Sequence, residues 1–131
     1  MTIMSLLLNN DGKINYAQVL TKYPWIALKD QNYILSPDSD GFLCGLLVTS
    51  VLDGHIAGFY DNKIALIKKG VQAKDCIFLD LDINRKHIKS VGHHLVTYNN
   101  GITHANHDYS NCIHPNVFRN FDGKKSFQRK Y

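Results

Sequence analysis

Residues 32–52, NYILSPDSDGFLCGLLVTSVL, constrain the fold of this chain more than any other stretch. A short β-prone run (NYILS, 32–36) breaks at an acidic loop, SPDSDG. An apolar run then spans residues 41–52 and is long enough to be a buried helix rather than a strand. Strand, polar loop and helix in that order are the start of an α/β pattern. The chain downstream supplies the partners. HIAGFY (55–60), the turn Asp61-Asn62 and KIALIKKG (63–70) read as two strands joined by a tight turn, or as two strands of a mixed sheet. CIFLDLD (76–82) reads as a strand, and residues 88–91 as a short one ending at paired histidines. Upstream, NNDG is a turn, and INYAQVLTKYPW is a short helix capped by Asn15 and stopped by Pro24. The order predicts an α/β fold with a largely parallel sheet and flanking helices.

Three segments follow from this pattern: an N-terminal helical extension (1–31), an α/β core (32–96) and a loop-rich His/Asn region with a basic end (97–131). The last has weak apolar periodicity and is expected to hold short elements at most. With 131 residues the chain can bury one real core, and two domains would be a squeeze. The formal net charge of +4 owes much to Lys124, Lys125, Arg129 and Lys130, which read as a solvated tail more than as a polyanion site. Cys44, Cys76 and Cys112 are odd in number and show no CxxC spacing, which argues against a disulfide framework and a cysteine zinc site and fits a reducing compartment. MTIMSLLL is too short for a signal-peptide core, and no stretch approaches a membrane span. A cytoplasmic protein with no membrane partner is expected.

Three polar groups fall where strands end: Asp38 with Asp40, Asp80 with Asp82, and His93 with His94. In open α/β sheets ligands sit outside the carboxyl ends of the strands, near a topological switch point. Carboxylates with imidazoles suit a divalent ion such as Mn²⁺, with Mg²⁺ or Co²⁺ as alternatives. Two ions about 3.5–4 Å apart could share a bridging carboxylate and clamp the oxygens of an in-line displacement at phosphorus. Asp38 and Asp40, two apart in a loop, can face one pocket. Gly41 gives the backbone room as the helix begins, and the helix N-terminus welcomes phosphate. Period two puts Asp80 and Asp82 on one face of their strand.

Each piece also has a plain structural reading. PDSDG is good turn and cap chemistry, LDLD is an alternating strand, and GHH makes a surface turn. His55, His87, His104, His107 and His114 read individually as structural or exposed. His107 and Asp108 could complete a metal shell, although a loop with satisfied side chains carries more weight.

Taken in order, SPDSDG, FLDLD and VGHH resemble the first three motifs of the DHH phosphoesterase superfamily. The resemblance covers residues 32–96, roughly half the chain. It implies that Asp38 binds one metal ion and Asp40 another, that Asp80 bridges both and that His93 is a ligand. It gives His94 the catalytic place facing the substrate phosphate. The implied protein is a DHH-like, Mn²⁺-dependent hydrolase of phosphodiesters, an exonuclease-like phosphoesterase whose substrate is a nucleotide or nucleic acid. This sequence departs from the pattern in four ways. Ile34 stands where the family usually has a histidine, four residues before Asp38, and Gly92 replaces the aspartate of Asp-His-His. Only Asp108 and Asp122 remain as candidates for the fourth motif, and there is no room for the second, substrate-binding domain. The domain therefore reads as incomplete: a fragment, a centre completed by an additional chain or a missing C-terminal domain, or a diverged, single-metal enzyme. The alternative is a catalytically inactive DHH-like binding or assembly module. A third reading is an unrelated α/β protein, in which Asp38, Asp80 and His93 would lie too far apart to share a centre.

Overall fold

The computed structural model describes residues 14–94 and 108–114. Helix α1 (Tyr16–Lys22) begins at Asn15, whose side chain accepts the Gln18 N–H, and Pro24 opens a 3₁₀ turn, Pro24–Ala27, behind it. The chain then builds β1 (Asn32–Leu35), α2 (Ser39–Val51), β2 (His55–Tyr60), β3 (Ala65–Ile67), β4 (Cys76–Leu79), β5 (Lys89–Val91) and β6 (Cys112–Ile113). The six strands form one sheet in the order β3-β2-β1-β4-β5-β6. Among these six strands every pairing is parallel except the β2–β3 hairpin at the edge. The fold is thus α/β, with a mostly parallel mixed sheet.

Period two explains the two cores. Tyr33, Leu35, Ile77 and Leu79 face one side of the sheet, where they meet Val48 of α2 and the Val19, Tyr23 and Trp25 cluster of the N-terminal segment. Ile34, Cys76 and Phe78 face the other side and meet Ala57, Leu81 and Ile88. Strands β1 and β4 are buried on both faces, which is why they read as unbroken apolar runs rather than alternating ones.

Helix α2 forms where expected but is not buried all round. Its inner stripe is Gly41, Gly45 and Val48, whereas Phe42, Leu43, Leu46, Leu47 and Val51 are exposed. The two glycines explain the close seating. A Cβ on Gly45 would press into the Leu35 side chain, and one on Gly41 would run into the Ser36 carbonyl. Strand β4 is shorter than CIFLDLD suggests, because Asp80 turns to φ 59° and ends the ladder at Leu79. Strand β6 comes from the His/Asn region and pairs with β5. The N-terminal MTIMSLLL, the basic end, His104, His107 and Asp122 lie outside the described residues. Among the described residues no helix is long and apolar enough to cross a membrane.

Candidate metal centre

The chain leaves β1 through α2 to reach β2 on one side, then crosses to β4 on the other side of β1. The switch point is therefore the crevice between the carboxyl ends of β1 and β4, where the Ser36 N–H donates to the Leu79 carbonyl at 3.2 Å. Asp38 leaves this crevice on the β1 side and caps α2. Its Oδ1 accepts the Gly41 N–H at 2.9 Å and its Oδ2 accepts the Ser36 hydroxyl at 2.6 Å. These two hydrogen bonds, the hydroxyl first, hold the Asp38 carboxyl below the usual carboxylate range.

Asp80 arrives from β4. Its left-handed backbone swings the carboxylate into the crevice, where the side chain is only 3% exposed. Burial pushes its pKa up, and the Asp38 charge adds to the rise, while His94 and His93 act against it. Oδ1 lies 3.1 Å from His93 Nδ1 and 4.0 Å from His94 Nε2. Oδ2 is buried without a hydrogen-bond partner among the described residues. The two imidazoles stack at 4.1 Å between centroids with a 33° tilt, and both remain more than half exposed.

Asp80, His93 and His94 form a compact donor set, one carboxylate oxygen and two ring nitrogens within 4.8 Å of one another. Asp38 stands beside this set, its oxygens engaged by Ser36 and Gly41. Asp40 is exposed in the first turn of α2, and its charge reaches Asp80 from there. Asp108 lies apart in a turn, where its Oδ1 accepts the Ser110 N–H. The donor set fits a divalent ion: one hard oxygen and two imidazoles, with an unpaired buried carboxylate oxygen left to coordinate.

A pocket of about 360 Å³ opens at this crevice, lined by Ser36, Asp38, Asn62, Asp80, Asp82 and His94 among others. Nothing in the local sequence marks Ser36 or Asn62 as a site residue. Asn62 sits in the β2–β3 turn, where Asp61 Oδ1 accepts the Lys63 and Ile64 N–H groups. Its signal was topological: a turn at the carboxyl end of a strand parallel to β1 emerges at the same edge. Asp82 lines the pocket too, although it follows the end of β4 and so owes nothing to strand alternation. No family model, curated protein or solved structure matches this chain.

Proposed function

We propose that this chain is a divalent-metal-dependent phosphoesterase with a DHH-like fold and centre, acting on a phosphodiester of a nucleotide or nucleic acid. The observation that carries the reading is the meeting of Asp80, His93 and His94 at the switch point, with one buried Asp80 oxygen unpaired. The order of the motifs along the chain supports it, as does Asp38 at the start of α2. Asp80, His93 and His94 would hold the ion, for which Mn²⁺ is the first choice and Mg²⁺ or Co²⁺ the alternatives. When bound, it supplies positive charge to a phosphoryl oxygen. The N-terminal turn of α2 orients the phosphate by its backbone dipole, and His94 faces the pocket as one of the ion's ligands. The pocket volume suits a nucleotide-sized group.

Ile34 favours the one-ion form of this centre. It occupies the place of the motif's leading histidine, so that position offers no ligand, and it is completely buried with Ala57, Cys76 and Phe78.

Calorimetric titration of Mn²⁺ into this chain and into Asp80→Asn tests the reading, with circular dichroism as the check on folding. Saturable binding lost in the variant, followed by Mn²⁺-dependent cleavage of a chromogenic phosphodiester, a cyclic dinucleotide or a short oligonucleotide, is the expected result. Binding without cleavage would leave the inactive binding module. Equal binding by the folded variant would remove the centre altogether.

A further inference from the structure

The geometry points to Asp82 as the positioning residue for the His93–His94 turn, a role that rests on the metal-centre reading above but is built from contacts of its own. The Asp82 side chain is 10% exposed. Its Oδ2 accepts the backbone N–H of His94 at 2.9 Å and lies 3.5 Å from His94 Nδ1. Its Oδ1 lies 3.8 Å from the Cys112 thiol on β6. One carboxylate thus ties the histidine turn to the loop after β4 and to the edge strand.

The contact with the ring has a chemical consequence. The ring faces two carboxylates, and Asp82 at 3.5 Å from Nδ1 is nearer than Asp80 at 4.0 Å from Nε2, so the tautomer that carries its proton on Nδ1 is favoured. The lone pair is then on Nε2, the nitrogen turned toward Asp80. Asp82 therefore presents His94 to the crevice as an acceptor or ligand rather than as a donor.

Gly92 shows how closely this arrangement is built. A Cβ on Gly92 would fall 2.5 Å from Asp82 Oδ1, 2.6 Å from its Cγ and 2.8 Å from its Oδ2. The backbone there has no need of glycine, because among the described glycines only Gly70 has a positive φ. Residue 92 lacks a side chain because the Asp82 carboxylate occupies its place. Where the resembled motif carries an aspartate just before its histidine pair, this chain delivers the carboxylate from ten residues upstream. Positions 82 and 92 are alternatives for one carboxylate.

The test is a swap in the full chain: Asp82→Ala, the double variant Asp82→Ala/Gly92→Asp, and Asp82→Asn as a near-isosteric partner. Two properties are read by NMR on the metal-free protein, the hydrogen exchange of the His94 amide and the tautomer of its ring. Mn²⁺ affinity is read by calorimetry. Asp82→Ala should speed His94 amide exchange, lower the Nδ1–H population and weaken Mn²⁺ binding by about 10–100-fold. The double variant should recover all three in large part. Asp82→Asn keeps an acceptor for the amide, so exchange should stay slow while the tautomer shifts. A wild-type tautomer and wild-type exchange in Asp82→Ala would overturn the proposal, as would a folded double variant no better than the single one. If the wild-type chain binds no Mn²⁺, the metal-centre reading fails, and the metal-free NMR still decides the role of Asp82.

Discussion

At the amino-terminal edge of the sheet His55 Nε2 meets Asp30 Oδ1 at 2.5 Å, and at the carboxyl edge His93 Nδ1 meets Asp80 Oδ1 at 3.1 Å. The residue types are the same and the histidines are equally open, each 61% exposed. The aspartates differ. Asp30 is 80% exposed and water can solvate whatever His55 leaves over. Asp80 is 3% exposed, with a second oxygen that nothing among the described residues satisfies. An ion pair in water is worth little because solvent screens it and competes for both partners. A buried carboxylate with an open coordination direction is costly unless a cation or proton completes it. Burial of one oxygen, not the presence of a histidine beside an acid, separates a candidate centre from a surface contact.

The sharpest way to break that comparison is the Asp80→Asn variant set against Asp30→Asn. The first should abolish saturable Mn²⁺ binding in calorimetry, and the second should leave the affinity at the wild-type value. Weakening of both by similar factors would show that Mn²⁺ follows general surface charge, and the contrast between the two edges would collapse.

The next largest effect is expected at Gly41. Its Cβ position is taken by the Ser36 carbonyl, which is backbone and cannot rotate away as a flexible side chain could. Gly41→Ala should cost about 1–3 kcal/mol of unfolding free energy in urea, the range for forcing extra atoms into a packed site. It should also spread the crevice, because Ser36 and Asp38 move with the carbonyl. A loss within about 0.5 kcal/mol, the ordinary range for surface substitutions, would show that the loop yields freely.

These positions also mark what could be read from the sequence. The strand–loop–helix unit was legible because β1 is buried on both faces and writes itself as a short apolar run, with turn chemistry at its end. The three polar pairs at strand ends were legible because a parallel sheet brings those ends together. Four features were not. The apolar sequence of α2 pointed to a buried helix, yet composition cannot say which sides of a helix are covered, and Phe42 and Leu47 are left open. LDLD looked like continuing alternation, and only the left-handed turn at Asp80, which an aspartate tolerates, ends the strand there. Strand β6 has two residues, too few to show a period. The closeness of Asp82 to Gly92 spans ten residues of chain and depends on how two loops pass, which no local pattern encodes.

Asp38 offers a subtler contrast, because its effect should depend on pH. Its carboxyl is held below the ordinary value of 3.8 by the Ser36 hydroxyl and the Gly41 N–H. A depressed folded-state value means that the unfolded chain binds the proton more readily, so the stability it contributes is fully present above 3.8 and is lost as pH falls through the folded value. Asp38→Ala should therefore be less stable than wild type at neutral pH, and the gap should narrow in acid, as urea titrations along a pH series would show. A gap unchanged from neutral pH to well below the ordinary carboxylate value would mean that the loss comes from packing and not from the charged cap.

The smallest effect belongs to the amino-terminal edge. His55→Ala removes the ring facing Asp30 but not the main-chain bonds that fix this end, since the His55 N–H still donates to the Gln31 carbonyl at 2.9 Å and the Asp30 N–H to the Leu52 carbonyl at 2.9 Å. The neighbouring Lys29–Asp53 contact at 3.2 Å is exposed on both sides and adds little. The expected loss is under about 1 kcal/mol, shrinking further in high salt. The same salt series on His93→Ala supplies the contrast, because Asp80 stays buried whatever the ionic strength and its lost partner cannot be replaced by screening. A loss at His55 as large as at His93, and as insensitive to salt, would mean that the amino-terminal pair is shielded from solvent, and burial would no longer distinguish the two edges.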